Sequence, residues 1–300
     1  MANSLGGINL ADISAQTIEA LTPVLLPLTS MGTDFSDEFA EPKESITTRI
    51  PATTTADDIS SGFTAADSTS TAVTITLNKE LGKAIGFSQA ELSKGGTQRI
   101  LNTFTPTVVN AVGLGVIQEV VKLVTNANFS STSVTASAAF EADTLADTAG
   151  VLDAANVPGN DRFAIMKPAY YTSLAKDDVI QRVDASGSNA ALRDHRIERV
   201  AGFNLHQFTG FPTSGTTDTE DLSVFAGSKF SLLIGGRFPA ISEAMGEVVD
   251  VENVIEPATG FPFQFQQFYV PKERTHYFAV ATLFGVQVGQ AGALHRITAS

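Results

Sequence analysis

The segment from Thr105 to Thr125, TPTVVNAVGLGVIQEVVKLVT, constrains the fold of this chain more than any other segment. Pro106 suits the first turn of a helix and Thr105 suits the position that caps it, so we expect a helix to begin there. About 20 residues make a rod of roughly 30 Å, which needs a partner for its apolar side. That wide apolar side is predicted by valines that recur every three or four residues: Val109, Val112, Val116, Val120 and Val124.

The same segment does not have the pattern of a membrane span. Polar residues interrupt it every few positions, namely Asn110, Gln118, Glu119 and Lys122. The first residues, MANSLGG, have neither a basic region nor a long apolar core, so no secretory signal is expected. We therefore expect the chain to fold and act in the cytoplasm, or in a particle that is assembled there.

Composition excludes several classes of function. The net charge is −13, which argues against a dedicated nucleic-acid binder, because such proteins neutralise phosphates with Lys and Arg. The chain has no cysteine, which excludes disulfides, thiolate metal sites and a cysteine nucleophile. Only 17% of the residues are charged, which is low and indicates a surface that is partly hidden against other copies of the chain.

An arm and then an extended hairpin are predicted for the first part of the chain. Residues 1 to about 30 are too few for a core of their own, so we interpret them as an arm whose apolar LTPVLLPLTS lies on something else. Ser45–Pro51 and Ala72–Leu77 alternate as β-strands do. Roughly 20 polar residues join these strands, and connections of that length are often functional.

Helices and a buried strand are predicted in the middle of the chain. Residues 79–104 are expected to hold shorter helical stretches that lead to the long helix. Phe140–Ala155 predicts another helix, and Arg162–Met166 predicts a short buried strand. Pro168 then begins a helix by the rule that proline favours the first turn.

Strands dominate the predictions for the remainder. Ile197–Val200 and Phe203–Phe208 flank Ala201-Gly202, which predicts a β-hairpin or a bulge. Tyr277–Leu283, continued by Val286 and Val288, is an apolar run that is typical of the core of a sheet.

No group of residues predicts catalysis, a cofactor or a metal site. Gly235-Gly236 resembles a piece of a phosphate loop but lacks the GxxxxGK[ST] pattern, and there is no GxSxG elbow. Asp57-Asp58 and Asp177-Asp178 are interpreted as solvated loops or helix ends. The histidines lie far apart without the spacing of metal ligands: His195, His206, His276 and His295.

The order of these elements resembles the major capsid proteins of tailed bacteriophages, which have the HK97-like fold. The resemblance covers about residues 30–297. Its motifs are Asp34–Phe39 followed by SITTRIP, Val73–Leu77, Ile85–Ser88, Arg99–Leu101 with Pro106, Val157–Ala164, Pro168–Tyr171, Arg196-Ile197, Val200–Phe203 and Tyr277–Val286.

The resemblance implies an α+β, HK97-like phage capsid fold in four parts. These are an N-terminal arm at residues 1–44, an extended two-stranded loop at 45–80, a peripheral domain with a long spine helix at 81–128 and 262–300, and an axial domain at 129–261.

The implied function is that of a major capsid protein. Copies of the chain would form hexamers and pentamers, assemble into the icosahedral head of a tailed phage and enclose double-stranded DNA. The location would be the virion, assembled in the host bacterial cytoplasm. Partners would be a separate scaffolding protein, a portal protein and a decoration protein. The DNA would be contacted weakly and non-specifically, since an acidic shell does not neutralise phosphates, and no membrane is expected.

The resemblance also implies where subunits touch. The arm would bury its apolar LTPVLLP against another copy, and the strands of the extended loop would lie on a neighbour. Some relatives join a loop lysine to a neighbour's asparagine, but Thr53–Thr71 contains no lysine, so we expect a non-covalent shell. The expected contact residues are Arg49, Val73, Ile75 and Leu77 in the loop, and Arg193, Arg196 and Arg199 further on.

Two other functions are compatible with the sequence. An encapsulin-type compartment shell would have the same fold and would store an enzyme instead of a genome. A soluble enzyme belongs to a different class, and no catalytic residues support it. A secreted adhesin is disfavoured because no signal is expected.

Overall fold

Two six-stranded sheets and one long helix organise the part of the chain that the computed structural model describes. These residues are 24–51, 60, 70–88, 90–91, 97–181, 197–211, 221–241 and 249–299.

The described residues form fourteen strands, four α-helices and three short 3-10 turns. The strands are β1 Gly32–Ala40, β2 Ser45–Pro51, β3 Ser70–Thr76, β4 Lys79–Ser88, β5 Thr132–Val134, β6 Arg162–Met166, β7 Arg199–Val200, β8 Phe203–Gln207, β9 Leu222–Ser228, β10 Leu232–Pro239, β11 Val249–Ile255, β12 Pro262–Val270, β13 Thr275–Val288 and β14 Leu294–Thr298. The helices are α1 Thr97–Lys122, α2 Ala142–Ala154, α3 Pro168–Lys176 and α4 Asp178–Gln181. The 3-10 turns are Leu26–Ser30, Ser137–Ala139 and Ala291–Ala293.

The long helix α1 begins earlier than its sequence pattern predicts. It starts at Thr97, so Pro106 lies inside the helix and the predicted cap at Thr105 is wrong. A proline inside a helix costs about 3 kcal/mol, which the burial of the valines beyond it can offset. The 26 residues of α1 correspond to a length of about 39 Å.

The segment before α1 is a strand, and the helix predicted there is wrong for residues 79–88. Lys79–Ser88 forms β4, which pairs antiparallel with β13 from Ser88 opposite Thr275 to Lys79 opposite Phe284. Leu81 and Ile85 pack against the main core from this strand. Pairing with a strand nearly 200 residues later overrides the local sequence preference, as is common for β structure.

The first sheet, sheet I, is built around β13. β13 pairs with β4 along one edge, and with β12 and then β10 along the other. β11 pairs with β12, and β1 pairs in parallel with β10. The central position of β13 confirms the prediction that its apolar run belongs to the core of a sheet.

The second sheet, sheet II, has the order β5-β14-β9-β6-β8-β7. The predicted strand Arg162–Met166 is confirmed as β6, and all five of its side chains are buried. The predicted hairpin is confirmed as the antiparallel pair β7–β8, and Ala201 and Gly202 in its turn have φ of +49° and +86°. Pro168 begins α3 as predicted.

One core lies between the two sheets and α1. Valines of the helix pack there with phenylalanines of both sheets, including Phe265 and Phe284 of sheet I and Phe163 and Phe225 of sheet II. A second core covers the other face of sheet II, where Leu145 of α2 and Leu174 of α3 pack. The three-layered α+β arrangement follows from covering both faces of sheet II.

The apolar segment before β1 belongs to the subunit's own core. Leu25 and Leu28 have 0% exposure there, and Ser30 bonds to His206 of β8 at 2.9 Å. LTPVLLP spans residues 21–27, so the expectation that it buries against another copy is wrong for Leu25, whereas Leu26 is 41% exposed. Residues 1–23 lie outside the described part of the chain.

The proposed domain boundaries stay a prediction. Both sheets draw strands from each side of those boundaries: β10 and β11 fall within residues 129–261 but pair in sheet I. β14 falls within 262–300 but pairs in sheet II.

Candidate assembly surfaces

The extended hairpin of β2 and β3 is a separate two-stranded sheet. Its antiparallel register runs from Ser45 opposite Thr76 to Pro51 opposite Ser70. Of the side chains described in these strands, Ile75 alone is buried. The predicted strands Ser45–Pro51 and Ala72–Leu77 are confirmed, whereas most of the connection between them lies outside the described residues.

The two faces of this hairpin differ. One face carries Ile46, Thr48 and Ile50 opposite Ile75, Val73 and Thr71, and the other face carries polar or small side chains. The apolar face turns toward sheet I only at its base, where Leu77, Leu283 and Ala40 form a small cluster with Ile46.

The base of the hairpin is fixed by backbone hydrogen bonds and a tight turn. The Lys43 amide donates to the Leu77 carbonyl, and the Leu77 amide donates to the Glu44 carbonyl, each at 2.8 Å. Lys43 has φ of +82°, in the left-handed region that a tight turn requires. The turn connects β1 directly to β2, so the position of β1 determines where the hairpin begins.

The predicted contact residues of the hairpin divide into two groups. Arg49 is exposed and Val73 is half-buried, so both are accessible to a partner. Ile75 and Leu77 are each 1% exposed, which gives them a role in holding the hairpin on its own subunit. Contact of any of these residues with a neighbour stays a prediction.

The other predicted contacts are three arginines near the β7–β8 hairpin. Arg199 is exposed on β7, at the end of sheet II. Arg193 and Arg196 lie outside the described residues.

A groove of about 240 Å³ separates the hairpin from the start of β1 and β10. Thr48, Arg49 and Ile50 form one wall. Lys229, Phe230 and Leu233 form part of the other wall, and Phe230 is 51% exposed. The groove therefore combines apolar surface with two cations.

Two of the three outer strands of sheet I expose acidic side chains. Asp37 and Glu38 are exposed on β1, and Asp250 is exposed on β11, whereas the third outer strand, β4, exposes both Glu80 and Lys83. Like charges on two sheet edges oppose direct pairing between them. Pairing of β1 with β11 between copies is therefore unfavourable.

His295 is buried and His206 is half-buried, and each forms a hydrogen bond to a serine hydroxyl. His295 of β14 bonds to the hydroxyls of Ser131 at 2.7 Å and Ser133 at 3.0 Å, and its residue is 4% exposed. Burial lowers the pKa of His295, and it also lowers the pKa of His206. The two serine hydroxyls give the buried imidazole a hydrogen-bond partner at each ring nitrogen.

A charged cluster closes the exposed side of α1. Glu119 pairs with Lys79 of β4 at 2.8 Å and with Lys122 on its own helix. Burial raises the pKa of Glu119, but hydrogen bonds from the two lysines outweigh it and hold the pKa below its usual value. The cluster connects α1 to sheet I on the side where the sequence places polar residues.

Metal-ligand clusters and membrane-spanning helices were both sought among the described residues. They contain no group of three or more His, Cys, Asp or Glu side chains that could hold a metal ion. No described helix is long and apolar enough to cross a membrane.

No protein-family model and no curated protein sequence matches this chain. Solved structures with a similar fold are nevertheless numerous. A capsid structure of the cyanophage P-SCSP1u matches with a TM-score of 0.60 at 12% identity, covering 90% of this chain and 86% of that one. A structure of Mycobacterium phage Che8 matches with a TM-score of 0.55 at 15% identity, covering 84% of each chain.

A third similar structure comes from an archaeon. The virus-like particle from Pyrococcus furiosus matches with a TM-score of 0.54 at 12% identity, covering 96% of this chain and 98% of that one. These likenesses extend over nearly the whole chain. They confirm the predicted fold, so the chain has the α+β, HK97-like fold of phage capsid proteins.

Proposed function

We propose that this chain is the major capsid protein of a tailed phage and that its copies assemble, as hexamers and pentamers, into an icosahedral head around double-stranded DNA. The observation that carries this proposal is the extended hairpin on an HK97-like fold. Beyond its base, β2 and β3 have little contact with the rest of the described chain, and Ile50 and Val73 remain partly exposed. An isolated two-stranded hairpin is marginally stable in water, so a neighbouring subunit is the natural partner.

Charge supports the same proposal. Arg49 is exposed on the hairpin, and β1 and β11 of sheet I expose acidic side chains, so the hairpin has the charge to contact an acidic neighbour. A net charge of −13 suits a container whose wall binds packaged DNA weakly. Contacts through Arg193, Arg196 and Arg199 belong to the same proposal.

The function would be structural, with the virion as its location and the host bacterial cytoplasm as the place of assembly. A scaffolding protein, a portal protein and a decoration protein would be separate chains.

The decisive experiment is electron microscopy of the expressed full chain. We expect closed shells or capsomers, alone or with a co-expressed scaffolding protein. A monodisperse monomer under all of these conditions would contradict the proposal and would favour a soluble protein, including an enzyme.

An encapsulin-type compartment shell is the second candidate, and the likeness to the virus-like particle from Pyrococcus furiosus favours it. The contents of particles purified from the native source distinguish a phage head from a compartment shell. Nuclease-protected DNA of genome length supports the phage head, whereas a stoichiometric protein cargo without such DNA supports the compartment. Portal and terminase genes beside this gene would also favour the phage head.

A further inference from the structure

We infer that Gly235 and Gly285 set the angle at which the extended hairpin leaves the subunit, and that they are therefore positioning residues for assembly. They lie directly opposite each other, Gly235 on β10 and Gly285 on β13. The base of β3 crosses sheet I on top of this glycine pair. The assembly part of the inference rests on the proposed function, but the hairpin angle does not.

The contacts at Gly285 leave no room for a side chain. A Cβ built there would lie less than 3.0 Å from the Thr76 carbonyl, and close to the Cγ2 methyl of Ile75. The first of these atoms belongs to the backbone of the hairpin. An added methyl group therefore has to move the hairpin strand itself.

The contacts at Gly235 are different in kind. A Cβ built there would lie 2.9 Å from the terminal Cδ1 methyl of Ile46 and 3.5 Å from the Cγ2 methyl of Ile75. The closest atom is the end of a side chain, and removing that methyl removes the clash. The two glycines thus hold the hairpin in different ways, one against backbone and one against a side chain.

Glycine in the interior of a strand needs a reason, because it weakens the strand and has no side chain to pack. The flanking residues of β10 and β13 on the opposite face, Ile234 and Phe284, are large and buried. Close approach of the hairpin supplies the reason, through the Thr76 backbone at Gly285 and through the Ile46 side chain at Gly235.

A small tilt at this position becomes a large displacement further along the hairpin. Six residue steps separate Thr76 from Ser70, or about 20 Å of strand. A tilt of about 10° would move Ser70 by about 3.5 Å. Packed surfaces lose much of their attraction when they separate by about 1 Å, so a neighbour would no longer fit.

The absence of cysteine makes the angle measurable. Spin labels at Ala72→Cys, on the exposed face of β3, and Val134→Cys, on exposed β5, report the distance from hairpin to body. Labelled chains are diluted with unlabelled chains, so that pairs within one subunit dominate. Shell yield is measured in parallel by electron microscopy.

Four variants test the inference. Gly285→Ala should shift the mean label distance by several ångströms and reduce shell yield at least tenfold. Gly235→Ala should shift it less, and the double variant Gly235→Ala with Ile46→Val should restore both readouts, because valine lacks the Cδ1 methyl. Gly292→Ala, where a Cβ would meet nothing within 4 Å, is the matched control and should change neither.

The outcomes separate this inference from the proposed function. An unchanged label distance in Gly235→Ala and Gly285→Ala would overturn the inference, whatever the shells do. If Gly285→Ala does not fold, the label distances in Gly235→Ala and in the double variant Gly235→Ala with Ile46→Val test the inference. Absence of shells from the unsubstituted chain would overturn the proposed function and leave the distance test valid.

Discussion

Arg237 on β10 donates hydrogen bonds to both the backbone carbonyl and the carboxylate of Asp34 on β1, each at 2.9 Å. The two residues are 203 positions apart in the sequence. This contact joins β1 to the middle of sheet I, and the turn after β1 leads directly to the extended hairpin. The pair therefore fixes the point from which the hairpin starts.

Removal of the Asp34 carboxylate should destabilise the subunit. Arg237 is 11% exposed and would lose its best partner, while Asp34 is 44% exposed, so solvent screening reduces the effect. We expect Asp34→Ala to lower the free energy of unfolding by about 1–2 kcal/mol. Chemical denaturation measures this free energy.

Glu38 provides the control, because it lies 3.8 Å from Arg237 and is 77% exposed. Glu38→Ala should therefore change stability by less than about 0.5 kcal/mol. Equal losses in both variants would contradict this reading of the pair.

Truncation of the buried face of α1 should be far more harmful than truncation of its exposed face. Ile117 has 0% exposure in the main core, so Ile117→Ala should cost about 2–4 kcal/mol through a cavity there. Gln118, its exposed neighbour, should tolerate alanine within about 0.5 kcal/mol. The denaturant midpoints of the two variants measure both effects. A similar small effect of both would mean that this face of α1 does not pack in the core.

Acidification should destabilise the fold through His295, which is buried, and His206, which is half-buried. Burial lowers the pKa of His295 and of His206 below the ordinary 6.5, so the native state binds fewer protons than the unfolded state as pH falls. Stability is therefore complete above about pH 6.5 and declines below it, until the lowered folded-state pKa is passed.

Thermal unfolding between pH 7 and 5.5 checks this effect. The melting temperature should fall with pH in the unsubstituted chain and fall less steeply in His295→Gln, although that variant starts lower at pH 7. Parallel curves for the two proteins would show that His295 does not contribute.

Charge at position 49 should matter for assembly and not for folding. Arg49 is exposed on the hairpin, so Arg49→Glu should leave the melting temperature nearly unchanged and reduce the yield of shells strongly. Arg49→Lys keeps the charge and should assemble much better than Arg49→Glu. Normal particle yields from Arg49→Glu would remove Arg49 from the proposed contacts.

Assembled particles should be held together without covalent bonds between subunits. The segment Thr53–Thr71 has no lysine, and the chain has no cysteine, so neither an isopeptide bond from this tip nor a disulfide is available. Mature particles boiled in denaturant should run as one band near 31.5 kDa. A ladder of multiples on the gel would contradict the prediction.

Local patterns were sufficient where an element is defined by its own residues. The alternation of SITTRIP and AVTITL predicted both strands of the hairpin, RFAIM predicted a buried strand, and the proline before AYY predicted the start of α3. The order of these elements then predicted the HK97-like fold. Their turn and propensity signals act over a few residues, so they can be read without knowledge of the fold.

Long-range pairing decided what local patterns could not. Asp34 meets Arg237 only because β1 lies beside β10, and no spacing in the sequence marks that pair. Gly235 resembled a phosphate-loop fragment, although a glycine inside an otherwise apolar strand is also a signal for close approach of another element, here the Ile46 side chain of the hairpin.

The long helix shows the same division between sequence and tertiary structure. Its apolar period by itself determined that a helix runs through Val109–Val120 and buries its valines. The tertiary structure decided that the helix begins at Thr97, that β4 precedes it, and that Leu25 and Leu28 share its core. The physical reason is that side-chain period is a local property, whereas element ends and strand partners depend on packing energy from residues far away in the chain.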